Sequence, residues 1–538
     1  MTISEYSTVS ILVAVTSVGI AGCLFGRTSL TCDDLAKTCG CEDRPPCPPD
    51  DSGAAGGSGG SSGTGGGGGT SADGSSCDRS KEPNENPCVV DDRFGVFVSP
   101  NGSDSASGTK ALPFKTIARA LTRANGKNVY VCAGTYAEQV TIDASLDGAR
   151  MFGGFDCASW SYSAGMRPKV VPASGVALAV KALSTGATIE DMEFDAPDAT
   201  TAGASSIGAI VDASMNVSLR RVKIAAGKGA PGQAGADGGK GADGTSADPQ
   251  QQGASAKCTG APATQNGGSW AGPSLCRSKG GAGGFALIGS DGTAGIAGDP
   301  RTNVTPPNVD NGGPKGSTGG DGNPGMPGNA GAIGSASTSA GAFSPSGYSP
   351  ASAGGDGTDG FPGQGGGGGG ASNATGMCIG ASGGAGGMGG CGGTHGIGGG
   401  SGGASVALLS WQSSITLDAC ELASSSGGTG GKGGNGGAGG LGKDGAEGGA
   451  AYAGDAGPNV GHGGKGGPGG NGGPGGPGAG GNGGPSYALV YHGTAPMKSP
   501  DTIPMPGAGG AKGVGGVNSK GSAADGTPGL AAAEFAIP

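Results

Sequence analysis

A glycine at every third position, sustained over long stretches, limits what this chain can fold into more than any other feature. The phase holds for eight consecutive positions in 313–334, in 427–448 and in 463–484. Glycine accounts for 131 of the 538 residues, whereas apolar residues make up only 34%. A chain with so little apolar surface cannot build a large conventional core over its whole length, so packing of the backbone itself must be considered.

A three-residue period is that of the polyproline II helix, in which only glycine lets a neighbouring backbone approach the shared edge. Proline is too sparse for a typical collagen strand, and two glycine-poor stretches, 299–311 and 335–353, interrupt the runs where the chain would reverse. We therefore expect an intrachain bundle of polyglycine II helices. Disorder and a collagen-like trimer are the alternatives, because such composition is typical of disordered chains and ordering glycine is entropically costly.

A second pattern, of apolar residues, recurs at long intervals. Ile189 and Phe194 in "TIEDMEFD", Leu219 and Ile224 in "SLRRVKIA", and Leu417 and Leu422 in "TLDACELA" share one spacing. Ile189 and Leu219 are 30 residues apart, whereas Leu219 and Leu417 are 198 apart. Repeats of this kind are typical of stacked coils, so the sequence predicts that Leu417 lies beside Leu219 and that glycine-rich text is inserted between them.

The segment 94–142 carries a family resemblance. It reads as a strand, an "SPNG" turn, a "PFKTI" helix and "VCAGTYAEQV", and it is followed by "FGGFD" with Trp160. This order resembles the opening of right-handed parallel β-helix proteins of the pectate-lyase-like superfamily, over about 94–224. The resemblance implies that the helix covers the N-terminal end of a solenoid whose strand edges would otherwise be open.

The predicted fold class is all-β: a short right-handed parallel β-helix with an N-terminal capping helix, plus glycine-rich insertions that are polyglycine II or disordered. The predicted divisions run from a signal peptide to the last coil and its glycine-rich tail. In order they are 1–23 (signal peptide), 24–50 (Cys-rich), 51–90 (Gly/Ser-rich linker), 91–226 (β-helix), 227–403 (insertion), 404–424 (coil), 425–485 (insertion) and 486–538 (last coil and tail).

The N-terminus predicts export. Its apolar run, 9–22, is too short to span a bilayer but fits the core of a signal peptide, and it ends in "IAGC" at Cys23. That ending resembles the lipobox of bacterial lipoproteins, which implies acylation of Cys23 and attachment to a membrane. Leu24 stands where an inner-membrane retention signal would have aspartate, so the outer membrane or surface of a Gram-negative-type cell is the predicted location.

The cysteines agree with an oxidising compartment. Four of them crowd into a short segment without the C-x-x-C pairs typical of zinc sites, which predicts a disulfide knot: Cys32, Cys39, Cys41 and Cys47. Eight more are close enough in sequence to bridge locally: Cys77 with Cys88, Cys132 with Cys157, Cys258 with Cys276, and Cys378 with Cys391. Cys420 is left over.

The charge pattern narrows the classes of function. The net charge is −10 and no basic cluster occurs, which argues against a nucleic-acid partner. Many β-helix relatives cleave acidic polysaccharides with carboxylates, calcium and an arginine. Glu190, Asp191, Asp195 and Asp198 lie near Arg220 and Arg221 in the predicted coils, although alternation with core positions favours an ordinary solvated face.

No catalytic residue, metal site or cofactor is therefore assigned. Asp104 could hold calcium, but capping of a turn is the favoured role. The histidines His395, His462 and His492 are scattered. We expect an exported, lipid-anchored envelope protein with a structural or adhesive role, which contacts the membrane through its anchor and whose further partners are cell-surface polysaccharide or other envelope components. A polysaccharide lyase or hydrolase and a collagen-like fibre former are the alternatives.

Overall fold

The structure, a computed structural model, describes residues 77–78, 81–270, 274, 276–454 and 458–538. The predicted signal peptide and Cys-rich segment and most of the predicted linker lie outside the described residues. So do five of the cysteines named above: Cys23, Cys32, Cys39, Cys41 and Cys47.

Three sheets of parallel strands form the body of the protein. Strands are numbered in chain order. Sheet A contains Gly95–Val98 (β1), Asn128–Cys132 (β2), Arg150–Phe155 (β5), Ala187–Glu190 (β8), Val217–Arg220 (β11), Ile415–Asp418 (β18) and Met497–Lys498 (β21). Sheet B contains Thr135–Tyr136 (β3), Lys169–Val170 (β6), Glu193–Asp195 (β9), Lys223–Ala225 (β12), Glu421–Ala423 (β19) and Ile503–Met505 (β22). Sheet C contains Val140–Ile142 (β4), Leu178–Lys181 (β7), Ser206–Asp212 (β10), Ser405–Trp411 (β17), Ser486–His492 (β20) and Ala531–Ile537 (β25).

The remaining elements are short. The described residues contain one α-helix, α1, which spans Ile117–Arg123, and 3-10 turns at Pro87–Val89, Ala144–Leu146 and Pro249–Gln251. Three small hairpins pair Thr264–Gln265 (β13) with Ala286–Leu287 (β14), Ala342–Ser344 (β15) with Gly347–Ser349 (β16), and Val517–Asn518 (β23) with Gly521–Ser522 (β24). Within the described residues, no helix is both long and apolar enough to cross a membrane.

The chain visits sheets A, B and C in turn, and each visit adds one strand to each sheet. This order and the parallel pairing give a β-helix-like fold. Leu219 pairs with Ile189 on one side and with Leu417 on the other, so the predicted stacking across the long insertion is confirmed. The apolar spacing of the sequence therefore reports the register of the coils.

The inward side chains of the three sheets form one apolar core. Ile189, Leu219 and Leu417 are fully buried in it, together with Phe194 and Ile224 of sheet B. The helix α1 contributes Ile117, Ala120 and Leu121 to the same core. Its first turn is well capped, since Thr116 accepts from the N–H of Arg119 and the Glu138 carboxylate accepts from those of Ile117 and Ala118.

The corner between sheets A and B turns on one residue with a left-handed backbone in successive coils. Asp191, Arg221 and Ala419 follow β8, β11 and β18 with φ of 54°, 50° and 51°. A residue with a Cβ adopts a left-handed backbone only at a cost in conformational free energy. Its repetition at the same point of successive coils therefore marks a turn that the stacking of the coils enforces. Two of the three are charged, which brings a carboxylate and a guanidinium to one corner.

All the long glycine-rich segments leave the body between sheets B and C. The first excursion, 226–404, joins β12 to β17, the second, 424–485, joins β19 to β20, and the third, 506–530, joins β22 to β25. The sequence interpretation took the third as part of a tail. The structure instead returns the chain to sheet C as β25, which pairs in parallel with β20.

Backbone hydrogen bonds join the three excursions into what we call the glycine array. The N–H groups of Gly229, Gly232 and Gly235 donate to the carbonyls of Ser426, Thr429 and Lys432 at 2.8–3.0 Å, and the pairing continues in steps of three. Segment 382–403 runs antiparallel to 427–449 and parallel to 463–484. The array is therefore held by contacts between residues far apart in sequence.

The doubled glycines have a geometric reason. Gly463 donates to the carbonyl of Gly449, and the next residue, Gly464, donates to that of Gly370 in a different segment. With three residues per turn, successive N–H groups point about 120° apart, so a Gly-Gly-x triplet can contact two neighbours. Segment 335–353 contains the hairpin β15–β16, and the segments before and after it run antiparallel, as the predicted reversal requires.

Candidate functional site

The structure gathers part of the predicted charged set at the corner between sheets A and B. Glu190 ends β8, Asp191 is the following turn residue, and Arg221 occupies the equivalent turn one coil later. The side chains of Glu190 and Asp191 are only 4% and 2% exposed. This is the most deeply buried group of charges among the described residues that the sequence analysis singled out.

Arg221 is the centre of this corner cluster. Its Nε donates to Oδ1 of Asp191 at 2.8 Å, and its Nη2 donates to Oδ2 of Asp191 at 2.9 Å and to Oε2 of Glu190 at 3.1 Å. The Tyr162 hydroxyl donates to Oδ2 of Asp191 at 2.9 Å. A bidentate guanidinium compensates the buried carboxylate of Asp191, so the geometry is that of a structural ion pair.

The other predicted residues find separate partners. Arg220 pairs with Asp418 at 2.8 Å and with Glu82, Asp195 pairs with Lys169, and the Asp198 carboxylate accepts from the N–H of Lys228 at 2.6 Å. They do not converge on one open cleft. Acid–base catalysis on a polysaccharide needs two carboxylates that reach the substrate, and the sealed Glu190 and Asp191 do not offer them.

The stability conferred by Glu190 is expected to depend on pH. Burial raises the pKa of the Glu190 carboxyl to about 7, and the Arg221 guanidinium opposes this shift. Because the folded pKa exceeds the ordinary value of 4.5, the protonated form fits the fold, and stability falls as the pH rises from about 4.5 through about 7.

We therefore expect Glu190→Gln to raise the free energy of unfolding by about 1–3 kcal/mol at pH 8 and to change it little at pH 4. Urea unfolding at the two pH values measures the difference. A variant that is less stable than the wild type at pH 8 would show that the ionised carboxylate is needed.

Asp104 and the histidines contact separate groups of the protein. The Asp104 carboxylate accepts from the N–H groups of Lys115 and Thr116 at 3.0 and 2.9 Å and from the Thr116 hydroxyl, which explains it as a cap before α1. His395 contacts Asp359 at 2.7 Å, and the His492 ring stacks on Trp411. No cluster of three or more His, Cys, Asp or Glu side chains in the described part of the chain is arranged to hold a metal ion.

Four disulfides occur in the described residues. Cys77 bonds to Cys88 and Cys132 to Cys157, as the sequence spacing predicts. The predicted local pairs in the first excursion are wrong, because the structure joins Cys258 to Cys378 and Cys276 to Cys391. Segments separated by more than a hundred residues lie side by side in the glycine array, so sequence distance does not report spatial distance there. Disulfides of this number indicate an exported protein.

Peptide mapping tests this connectivity. We expect proteolysis without reduction to yield a fragment that links Cys258 to Cys378 and a separate fragment that links Cys276 to Cys391, because these sulfur atoms are adjacent in the array. Mass spectrometry before and after reduction identifies both. Fragments that link Cys258 to Cys276 would contradict the arrangement of segments in the first excursion.

A pocket lies beside the outer face of sheet C, where the sequence analysis assigned nothing. Its volume is about 370 Å³, and its walls come from the first excursion, from 482–487 and from 527–535. Four aromatic side chains line it, Phe343, Tyr348, Tyr487 and Phe535. The rings of Tyr487 and Phe535 stack at 4.9 Å, and the Phe343 ring lies 4.9 Å from that of Tyr348.

Sequence reasoning missed this pocket because its aromatic residues come from three separate parts of the chain. The hairpin β15–β16 carries Phe343 and Tyr348, whereas Tyr487 lies on β20 and Phe535 on β25. One signal was present: "SYALVYHG" and "AAAEFAIP" each place an aromatic residue early or midway in an apolar strand. Without the register of β20 and β25, that signal does not show that the rings meet.

Comparison with known proteins gives one match. Residues 100–154 match the family model described as "protein of unknown function (DUF1565)", whose members are typically parallel β-helix proteins. No curated protein and no solved structure shows significant similarity to this chain. The matched residues cover α1 and the first coils, so over that part the chain is similar to a family of uncharacterised function with the β-helix-like fold that its parallel sheets display.

Proposed function

We propose that this chain is an exported, lipid-anchored cell-envelope protein whose glycine array serves a structural or adhesive role. One observation carries the proposal: glycine N–H groups of all three excursions donate in three-residue steps to carbonyls of neighbouring segments. A flexible tether has no need of such matched pairing. An ordered array with few charges is better suited to form a stable surface outside the cell than to act as a flexible linker.

In finer terms, we propose a right-handed parallel β-helix with α1 covering its N-terminal end and with insertions of polyglycine II type. The burial of Ile117, Ala120 and Leu121 in the core supports the covering role of α1. The period of the backbone bonds and the lack of assigned helix or strand in 463–484 support the polyglycine II assignment. Because those N–H groups find acceptors within one chain, the pairing favours a bundle over a collagen-like trimer.

Export and attachment rest on different features. The four disulfides support an oxidising compartment, and the "IAGC" sequence at Cys23 supports acylation. Attachment to the outer membrane or cell surface is part of the proposal. Metabolic labelling with a palmitate analogue tests it, since label in the wild type and none in Cys23→Ser is expected, whereas label in neither rejects the lipid anchor.

Hydrogen exchange tests the array itself. We expect the glycine amides of 427–449 and 463–484 to be protected, because one or two N–H groups in each triplet are bonded to another segment. Light scattering on the same sample should report a monomer. Unprotected amides in these segments would reject the ordered array, and a stable trimer would favour the collagen-like alternative.

A further inference from the structure

The aromatic pocket beside sheet C has the chemistry of a binding site for a neutral ligand. Its remaining walls carry hydroxyl, amide and small apolar groups, and no charged side chain lines it among the described residues: Ser337, Thr338, Ser339, Ala340, Gly341, Ala351, Asn482, Gly483, Pro485, Thr527, Pro528, Gly529 and Leu530. A concave site with aromatic surface and a few polar groups is the usual form of a small-molecule pocket.

Two phenol groups in the pocket are left without protein partners. Within the described residues neither the Tyr348 nor the Tyr487 hydroxyl bonds to the protein, and neither oxygen is sealed from solvent, although Tyr487 as a whole is only 3% exposed. Burial raises the pKa of Tyr348 to about 12, and the neighbouring Tyr487 adds to the shift, so both phenols stay protonated and able to donate. Both phenols are therefore open to the pocket and able to donate to, and accept from, a ligand that enters it.

Asn482 fixes the width of the pocket. Its Nδ2 donates to the carbonyl of Ser339 at 3.5 Å on one wall, and its Oδ1 accepts from the N–H of Thr527 at 2.8 Å on the other. The Asn482 backbone N–H donates in turn to the Ser401 hydroxyl at 3.2 Å within the glycine array. The walls are therefore tied to a packed framework, which lowers the ordering cost of binding.

We propose that this pocket binds a neutral sugar unit of a cell-surface or environmental saccharide. The apolar C–H face of a sugar ring packs against an aromatic ring, while its hydroxyls both donate and accept hydrogen bonds. Those hydroxyls match the phenols of Tyr348 and Tyr487 and the hydroxyls of Ser337 and Thr338. The inference rests on the proposed adhesive function and gives it a partner of defined chemistry.

A proline-rich peptide is the other ligand that aromatic surfaces attract. It binds as an extended helix and needs a groove several residues long, whereas this pocket is compact, with a volume of about 370 Å³. A peptide backbone in that form also presents mainly carbonyl acceptors, which leaves the acceptor capacity of the Ser and Thr hydroxyls unused. The geometry therefore favours the sugar.

Binding is tested with the full-length protein in detergent on an array of neutral oligosaccharides, with uronic-acid oligosaccharides as charged comparison. We expect neutral sugars to bind and charged ones not to. The double variant Tyr348→Phe with Tyr487→Phe keeps both rings and removes both hydroxyls, so binding by calorimetry should weaken at least about tenfold. The control Tyr452→Phe removes a tyrosine hydroxyl from the glycine array at a position outside the pocket. This variant should bind the sugar like the wild type.

The outcomes separate this inference from the proposed function. Unfolding curves that superimpose for the variants and the wild type show that lost binding is not lost folding. No binding to any neutral sugar, equal binding by the double variant, or binding of proline-rich peptides in place of sugars would each overturn the sugar site. Exchange protection of the glycine array, measured on the same sample, shows whether the structural proposal stands independently.

Discussion

Replacing Gly386 by alanine is expected to lower the free energy of unfolding by about 3 kcal/mol or more. Gly386 is buried in the glycine array, and its N–H donates to the carbonyl of Gly281 at 2.9 Å. A Cβ at this position would lie 1.9 Å from the carbonyl oxygen of Gly366. Because the obstacle is backbone, no side chain can rotate away, and one segment must move and lose its hydrogen bonds.

The array supplies a matched control in Gly239. This glycine is exposed, and a Cβ there would meet only the Thr394 side chain, at 3.5 Å, which is ordinary contact. We expect Gly239→Ala to change stability by less than about 1 kcal/mol, with slight stabilisation because alanine has less conformational freedom in the unfolded chain. Thermal and urea unfolding compare the two variants.

Hydrogen exchange localises the effect of Gly386→Ala. Faster exchange should be concentrated in 354–371 and 382–403, the segments on either side of the obstructed contact. Equal stability of Gly386→Ala and Gly239→Ala would mean that the segments are not packed at the distances described. That result would remove the main support for an ordered array.

Removal of the Arg221 guanidinium is the second change that we expect to lower the free energy of unfolding substantially. We expect Arg221→Gln to destabilise the protein by about 3 kcal/mol at pH 8, because Asp191 and Glu190 would remain buried without their cation. Glutamine keeps a Cβ at the left-handed turn, where φ is 50°, so the backbone cost is unchanged. The difference therefore reports the loss of the guanidinium with its charge, its hydrogen bonds and its stem packing.

The neighbouring arginine is the control. Arg220 is 34% exposed and pairs with the half-exposed Asp418 and with Glu82, which Arg221 also approaches, so Arg220→Gln should cost less than Arg221→Gln. Lysine at position 221 keeps the charge but loses the bidentate contact with Asp191, so Arg221→Lys should lie between the wild type and Arg221→Gln.

The loss in Arg221→Gln should also depend on pH. The Arg221 guanidinium opposes the raised pKa of the Glu190 carboxyl, so its removal favours the protonated form of Glu190 further, and stability falls as the pH rises above about 4.5. The difference between variant and wild type is therefore largest near pH 8 and shrinks in acid. A constant difference from pH 4 to pH 8 would indicate that packing of the arginine stem, not charge, is what matters.

Much of the β-helix-like body could be read from the sequence. The spacing that links Ile189, Leu219 and Leu417 predicts their register because each coil must place an apolar side chain at the same point of the core. The helix at Ile117–Arg123 falls where the "PFKTI" segment predicts it, whereas its cap at Thr116 was seen only in the structure. Such patterns are local or strictly periodic, so they can be recognised in the sequence even where a long insertion separates two coils.

The charged corner was predicted only in part. The sequence places Arg221 near Glu190 and Asp191, since they are one coil apart, but it also offered Asp195, Asp198 and Arg220 as members. Which carboxylate receives the guanidinium depends on side-chain direction at a left-handed turn. That direction follows from the packing of Tyr162 and the adjacent coils and not from spacing.

The sequence by itself determined the coil repeat and the three-residue period of the glycine segments. The spacing of apolar side chains sets the first, and the spacing of glycines sets the second. The tertiary structure alone decided which glycine segment lies beside which, that Cys258 meets Cys378 and Cys276 meets Cys391, and that four distant aromatic rings share a pocket. The physical reason is that glycine triplets offer nearly identical backbone edges, so lateral order comes from where the coils, reversals and disulfides hold the ends of each segment.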